Sequence, residues 1–178
     1  MNQEGIEVVS DFRNLQRDDF LKKYECFFLI KKEGEPENKA NKGIAFATIA
    51  VGNLEELLAK AKESTLSNKI IEIFPLKKTN KNPFQKKITI GRTTTQDITI
   101  DNTSISKYQG HFEYLSSEEI SFIDRGSTNG TFINNVKLEP SVNNNVKDGD
   151  IISFSGIKYT VYNNRKTFLL LKDTKFDF

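Results

Sequence analysis

The chain from residue 70 onward is a succession of short, alternating apolar segments separated by polar turns. Each segment is rich in Ile, Val, Phe or Tyr, the residues that favour β-strands. In chain order the segments read IIEIF, KKITI, DITI, GHFEYL, ISFID, GTFIN, DIISF and KYTVY. Many short strands with polar turns are typical of an antiparallel sandwich or barrel, so we predict that this part is mainly β.

The first part of the chain has a different pattern, which predicts a small α+β extension over residues 1–69. Apolar residues recur at helical spacing in residues 10–25, and Ser10 or Asp11 could cap a helix there. A short apolar run, CFFLI, follows this segment and is typical of a buried strand.

Further segments complete the extension and the tail. Residues 31–43 are charged and contain Gly and Pro, so we predict a loop there. Residues 44–51 predict a strand, and residues 53–64 predict a helix. The C-terminal tail fits either a closing strand or a short helix. The predicted units are the extension, the sandwich and the tail, at residues 1–69, 70–165 and 166–178.

Composition excludes several classes of protein. The 26 basic and 24 acidic residues nearly cancel, so bulk charge singles out neither nucleic acid nor membrane as a partner. No apolar run approaches the length of a membrane span, and the first residues lack a signal-peptide pattern, so we expect a cytoplasmic protein. Cys26 is the only cysteine, which excludes an internal disulfide and a cysteine-based metal cage.

The sequence offers little for catalysis. His111 is the only histidine, and no nucleophile, nucleotide-binding or zinc-protease motif occurs. Strand alternation predicts that Phe112 and Tyr114 face one side of a sheet. Gln109, His111 and Glu113 would then face the other side, where we expect His111 to be solvated. We therefore predict a protein that is not an enzyme and that requires no cofactor or metal.

One basic cluster, KKTNKNPFQKK at residues 77–87, lies between the first two predicted strands of the sandwich. A nucleic-acid site would need basic residues interleaved with stacking aromatic side chains on one face. Phe84 is the only aromatic residue in the cluster. We therefore predict a solvated hairpin loop, and no nucleic-acid partner.

Three turn segments carry hydrogen-bond donors beside predicted strand ends. In chain order the donors are Arg92, Ser104, Ser106, Lys107, Ser127, Thr128 and Asn129. Loops at one end of a sandwich can converge while the sheets hold them rigid. A guanidinium, an ammonium, hydroxyls and an amide without a nearby nucleophile or base suit an oxyanion, and phosphate fits the arginine best.

The order of these segments resembles the forkhead-associated (FHA) domain, a family that recognises phosphothreonine peptides. The segments that carry the resemblance are Gly91-Arg92, residues 97–100, Ser106-Lys107, residues 124–134 and residues 149–162. They match, in family order, the glycine–arginine pair, an aspartate-led strand, the serine–basic block, the asparagine–glycine–threonine block and a closing strand pair. The resemblance covers roughly residues 70–163 and implies an antiparallel sandwich of about eleven strands.

The resemblance also implies roles in binding a phosphopeptide. Arg92 would bind the phosphate as a charged fork, and Ser106 would donate its hydroxyl to another phosphate oxygen. Lys107 would add a third contact. Thr128 would line the phosphate pocket, while Asn129 would hold the peptide main chain.

Other matched positions would support this site. Gly91 would let the backbone turn so that Arg92 points inward, and Gly130 would allow the turn of its loop. Asn134 would brace that loop from within. Ser104 lies where the family often reads the third residue after the phosphothreonine, and its small neutral side chain predicts no strong charge preference there.

The sequence departs from the family at Gln109, which stands where the family has a histidine that ties loops together. A glutamine has both donor and acceptor groups, so it could keep part of this bracing. We expect the departure to affect loop rigidity more than phosphate binding.

Together these features predict a phosphothreonine-peptide-binding adaptor in serine/threonine kinase signalling. Its partners would be phosphothreonine-containing proteins, substrates of such a kinase, and no membrane partner is expected. The alternative is a structural assembly component that uses the same fold for phosphate-independent contacts. Arg92, Ser106 and Asn129 favour the adaptor, because a scaffold has no need to keep an anion-binding set.

Overall fold

The computed structural model describes residues 1–33 and 69–174 of the chain. The segments predicted as a strand at 44–51 and as a helix at 53–64 lie outside the described residues, as does most of the loop predicted at 31–43. Within the described ranges, no helix is both long enough and apolar enough to cross a bilayer.

Three helices and eleven strands make up the described part of the chain. The helices are α1 (Gln3–Asn14), α2 (Arg17–Lys23) and α3 (Asn164–Asp173). The strands are β1 (Phe28–Lys32), β2 (Ile70–Pro75), β3 (Ile88–Gly91), β4 (Ile98–Thr99), β5 (Gly110–Tyr114), β6 (Ile120–Asp124), β7 (Thr131–Ile133), β8 (Val136–Lys137), β9 (Asn143–Val146), β10 (Ile151–Phe154) and β11 (Ile157–Tyr162). The prediction of a mainly β fold is confirmed.

The strands form two sheets that pack face to face. The six-stranded sheet has the order β2-β1-β11-β10-β7-β8, and the five-stranded sheet has the order β4-β3-β5-β6-β9. Neighbouring strands are antiparallel except for β3 and β4, which are parallel. The core between the sheets includes Leu29, Phe154 and Tyr159 from the first sheet and Phe112 and Phe122 from the second. Each such aromatic or aliphatic side chain contributes roughly 1.5–3 kcal/mol by its burial.

A second apolar cluster joins the helices to the outer face of the six-stranded sheet. It contains Val8 of α1, Phe20 of α2 and Leu171 of α3, packed against Phe28 and Ile30 of β1. Because side chains alternate along a strand, Leu29 points into the sandwich instead. Strand β1 is therefore covered on both faces, which explains its uninterrupted apolar run.

Strand β1 ties the N-terminal residues into the sandwich itself. It pairs with β2 on one side and with β11 on the other. The side chain of Asn2 adds two bonds, accepting from the Ile73 amide at 2.9 Å and donating to the Ile73 carbonyl at 2.8 Å. The predicted boundary between residues 69 and 70 thus separates β1 from β2 and β11, although β1 is paired with both of these strands in one sheet.

The helices differ from their predicted bounds. Helix α1 begins at Gln3, so Ser10 and Asp11 lie inside it and do not cap it. The backbone is extended at Leu15 and Gln16, which separates α1 from α2. The described part of the C-terminal tail is helical as far as Asp173, and Asn163 caps this helix, α3, by accepting from the Lys166 amide.

The basic cluster at residues 77–87 is a crossover between the two sheets, and the prediction of a hairpin loop is wrong. Its anchor is Asp97, only 4% exposed, which accepts from Lys78 Nζ at 2.8 Å and from the Thr79 and Thr89 amides, each at 2.9 Å. Burial alone would raise the pKa of the Asp97 carboxyl, but the hydrogen bonds from Lys78, Thr79 and Thr89 outweigh it and hold the pKa well below its usual range. The start of this segment is therefore fixed to the loop before β4.

The prediction that His111 lies on a solvated face is also wrong. Phe112 lies in the core between the sheets, as the alternation in β5 predicts. His111 is nevertheless only 1% exposed. Tyr108 lies over its ring, so the outer face of the sheet is covered at this point.

Candidate functional site

The loops that carry the predicted donors meet at one pocket of about 430 Å³. Six predicted site residues line it, namely Arg92, Ser104, Ser106, Lys107, Thr128 and Asn129. A larger cavity of about 740 Å³ lies elsewhere, between α2 and the start of α3, and none of the predicted site residues lines it. The pocket contains the basic side chains of Arg92 and Lys107, and its lining includes no acidic residue.

Arg92 lies at the end of β3, next to the loop between β4 and β5. Its amide donates to the Ser106 carbonyl at 3.0 Å, so the backbones of these two residues are adjacent. The Arg92 side chain is exposed. Among residues 1–33 and 69–174 no carboxylate pairs with its guanidinium, which leaves the fork available for an anion.

Gly91 is required by close approach between the same two backbones. A Cβ on Gly91 would lie 2.3 Å from the Lys107 carbonyl oxygen and 3.0 Å from that of Ser106. The reason predicted for this glycine, a turn that points Arg92 inward, differs from the one that the structure gives. Any side chain at this position would push the two loops apart.

Ser106 links its loop to the loop between β6 and β7. Its Oγ accepts a hydrogen bond from the Thr128 amide at 3.0 Å. The same hydroxyl can donate to Thr128 Oγ1, but at 3.4 Å this second bond is long and weak. The Ser106 proton can therefore turn to a ligand oxygen at little cost.

Asn129 ties the opposite side of the same two loops. Its Nδ2 donates to the Ser104 carbonyl at 2.9 Å. In the described part of the chain nothing donates to the Asn129 carboxamide oxygen, which can accept from a peptide amide. The Ser104 hydroxyl donates to Asn102 Oδ1 at 2.7 Å, so it is engaged within its own loop.

Gln109 joins the loops from beneath the pocket. It is fully buried, and its Oε1 accepts from the Ser106 amide at 3.1 Å. Its Nε2 donates to the Gly130 carbonyl at 3.2 Å and to Thr131 Oγ1 at 3.0 Å. A single side chain thus connects the residues on either side of the pocket, using both its donor and its acceptor.

Asp124 is a support residue to which sequence reasoning assigned no role. It is 2% exposed and accepts from the Gly126 and Ser127 amides at 2.8 and 2.9 Å and from Thr131 Oγ1 at 2.6 Å. An aspartate that caps the amides of the next residues is a recognised turn signal, and it could have been found from the Asp-Arg-Gly-Ser order. The loop ends at Gly130, whose φ of 79° favours glycine.

The sequence predicts that Asn134 braces the pocket loop, but its side chain is bonded elsewhere. It lies in the turn between β7 and β8 with a φ of 49°. Its Nδ2 donates to Asp150 Oδ1 at 2.8 Å, and its Oδ1 accepts from the Ile151 amide at 3.0 Å. Asn134 therefore fixes that turn to the start of β10.

The described residues contain no cluster of His, Cys, Asp and Glu side chains that could hold a metal ion. Burial raises the pKa of the Cys26 thiol to about 12, so this thiol is not a nucleophile at neutral pH.

The pocket itself offers hydrogen-bond donors, the two cations Arg92 and Lys107, and an acceptor at Asn129. These groups can bind an anion and a peptide main chain.

Comparison with known proteins agrees with the resemblance. The family model of the FHA domain matches residues 88–155, and the chain has an FHA-like β-sandwich. A search of curated proteins found no match to this sequence.

Solved structures similar to this chain include the following three, two of which are FHA domains. One is EmbR from Mycobacterium tuberculosis in complex with a low-affinity phosphopeptide, at 20% identity and a TM-score of 0.40; the match covers 44% of this chain and 20% of that one. Another is the FHA domain of the CT664 protein from Chlamydia trachomatis, at 18% identity, a TM-score of 0.45 and coverages of 55% and 91%. The third is the N-terminal FHA domain of Rad53p from S. cerevisiae with a phosphothreonine peptide, at 25% identity, a TM-score of 0.43 and coverages of 56% and 90%.

Proposed function

We propose that the FHA domain matched at residues 88–155 makes this chain a phosphothreonine-peptide-binding module. The observation that carries the proposal is the meeting of Arg92, Ser106, Lys107, Thr128 and Asn129 in one pocket. These residues come from three separate loops, and the pocket lining contains no acidic side chain. Such a set of hydrogen-bond donors and cations can bind an anion that is attached to a peptide.

Charge supports phosphate as the anion. A phosphothreonine carries about −1.5 to −2 charges at neutral pH, and Arg92 and Lys107 supply opposite charges. Arg92 can bind two phosphate oxygens with its planar fork, and Ser106 can donate to a third. Each hydrogen bond to such a charged group contributes roughly 1.5–3 kcal/mol.

The amide of Asn129 supports a peptide as the carrier of the phosphate. Asn129 lines the pocket, and its carboxamide oxygen can accept from a main-chain N–H of the ligand. Thr128 also lines the pocket and is bonded to Ser106, so it would contact the phosphorylated side chain. A buried methyl group on that side chain adds about 0.8 kcal/mol, which gives threonine roughly a fourfold preference over serine.

The proposed setting is an adaptor in serine/threonine kinase signalling. A phosphothreonine ligand requires a kinase that makes it, so the partners would be proteins that such a kinase phosphorylates. We further propose that the protein acts in the cytoplasm without a catalytic role of its own, and without nucleic-acid or membrane partners.

The proposal is tested by comparing Arg92→Ala with wild type. The matched control is Arg17→Ala, which removes an exposed arginine of α2 whose only described ion pair is with Asp18. Binding to a phosphothreonine peptide library is measured by fluorescence anisotropy, and circular dichroism verifies the fold of each variant. Affinity should fall at least about tenfold in Arg92→Ala, because one charged hydrogen bond of roughly 1.4 kcal/mol corresponds to a factor of ten.

Two results would contradict the proposal. One is equal affinity of Arg92→Ala and wild type for the selected phosphopeptides. The other is equal affinity of the wild type for phosphorylated and unphosphorylated forms of the same peptide. The second result would favour a structural assembly component that uses the fold for phosphate-independent contacts.

A further inference from the structure

Three rings form a stack that continues from the wall of the pocket. The ring centroids of Phe84 and Tyr108 lie 6.4 Å apart with their planes 9° from parallel. Those of Tyr108 and His111 lie 6.2 Å apart at 24°. Tyr108 is itself a lining residue of the pocket, so the stack leads away from the site of the proposed phosphate.

The outer ring of the stack is open to solvent. Phe84 is 48% exposed, whereas His111 at the other end is 1% exposed. The segment around Phe84 otherwise consists of Lys, Thr, Asn, Pro and Gln, so it contains no other large apolar side chain. An exposed ring beside a polar pocket therefore offers apolar surface that the fold itself leaves uncovered.

The position of Tyr108 is fixed from below. Its hydroxyl lies 2.8 Å from Nδ1 of His111, and Nε2 of His111 lies 3.3 Å from Glu113 Oε1. Burial lowers the pKa of His111, and Lys87 and Arg125 lower it further, while Glu113 raises it. The lowered pKa favours the neutral ring, whose Nδ1 can accept from the Tyr108 hydroxyl when the ring proton is on Nε2.

Phe84 is held in place by its own turn. Its amide donates to Asn82 Oδ1 at 3.3 Å, and its carbonyl accepts from the Lys87 amide at 3.3 Å. Asn82 is in turn bonded to Asp97 Oδ2 at 3.1 Å through its Nδ2. The buried carboxylate that anchors the crossover therefore also positions the exposed ring.

The charged residues near these rings determine which ligand side chain can bind to them. Lys107 adjoins Tyr108 in the chain, and Lys87 and Arg125 act electrostatically on His111 beneath it. Glu113 is the acidic group in this set, so cations predominate. A lysine or arginine of a ligand would be repelled here despite the aromatic faces, whereas an aromatic or large aliphatic side chain would be accepted.

We propose that Phe84 and Tyr108 form an aromatic subsite that binds an aromatic or large aliphatic side chain of the same phosphothreonine peptide. The inference rests on the proposed function, since the occupant belongs to the peptide whose phosphate enters the pocket. The Phe84 ring lies 6.4 Å from that of the pocket-lining Tyr108, and an extended peptide advances about 3.3 Å per residue, so we expect the occupant within about four residues of the phosphothreonine. Phe84 is then a specificity-determining residue.

The test uses the full chain and synthetic peptides with one phosphothreonine in an alanine-rich background. Each position from four before to four after the phosphothreonine is replaced in turn by Phe, Leu or Lys, and affinity is measured by fluorescence anisotropy. At one position Phe or Leu should improve affinity about two- to tenfold over Ala, and Lys should not. Phe84→Ser should abolish that preference, while the control Leu115→Ser, which removes a side chain that is 52% exposed, should keep it.

The outcomes separate this inference from the proposed function. Phosphate-dependent binding without any Phe or Leu preference would overturn the subsite and leave the phosphopeptide module standing. A preference that survives in Phe84→Ser would also overturn the subsite. Absence of phosphate-dependent affinity for every peptide would overturn both proposals.

Discussion

Replacing Gln109 by alanine should both destabilise the fold and weaken phosphopeptide binding. The side chain is fully buried and makes three close hydrogen bonds, with the Ser106 amide, the Gly130 carbonyl and Thr131 Oγ1. A fourth, from Ser155 Oγ, is long and weak at 3.5 Å. At roughly 0.5–1.5 kcal/mol for each bond, the loss amounts to about 1.5–4.5 kcal/mol, and the cavity left behind adds to it.

Loss of the Gln109 side chain does not affect its three close partners equally. Gly130 keeps the hydrogen bond from the Ser155 amide, and Thr131 keeps its bond to Asp124. The Ser106 amide loses its only described acceptor. We therefore expect the loop that holds Ser106 to loosen most, so that affinity falls by more than the unfolded fraction accounts for.

Urea unfolding followed by circular dichroism measures the stability change, because the free energy of unfolding falls linearly with denaturant. The matched control is Gln85→Ala, which truncates an exposed glutamine and should change stability by less than about 0.5 kcal/mol. If Gln109→Ala is as stable as this control and binds like wild type, the proposed bracing role is refuted.

Two further predictions concern Asp97 and strand β1. Because the pKa of Asp97 is lower in the folded than in the unfolded protein, its contribution is present above about pH 4 and is lost as the pH falls below that value. Urea unfolding between pH 7 and pH 3 should show Asp97→Asn to be less stable at pH 7 by a margin that shrinks towards pH 3; a constant margin would contradict the linkage. Deleting residues 1–33 removes β1 from between β2 and β11 and should abolish cooperative unfolding, whereas a folded, peptide-binding fragment would show that the N-terminal part is a separate accessory.

Local pattern predicted the strands but not their partners. The apolar run CFFLI was recognisable as a buried strand, because every residue of β1 from Phe28 to Ile30 is covered. Its place between β2 and β11 depends on pairing with residues 38 or more positions away, and no local pattern encodes that. The hairpin predicted at residues 77–87 is wrong because β2 and β3 lie in different sheets, and no local pattern shows which sheet a strand joins.

The residues of the candidate site are easier to predict from the sequence than the residues that hold them in place. Arg92, Ser106 and Asn129 are recognisable because they stand at strand ends, where a sandwich gathers its loops. The faces of β5 followed from strand alternation, but the burial of His111 did not, because its cover comes from Tyr108 in a preceding loop. The turn at Asp124 is recognisable from the sequence, but its burial and its bond from Thr131 Oγ1 are not, because they depend on how β7 packs.

We propose that Arg92, Ser106 and Asn129 surround one phosphate on a threonine side chain. The most direct measurement is a titration of ¹⁵N-labelled protein with O-phosphothreonine, compared with threonine, followed by two-dimensional NMR. We predict saturable shifts of the amides of residues 91–92, 104–108 and 127–130 with the phosphorylated compound alone. Shifts confined to the helices, or equal shifts with both compounds, would contradict the account.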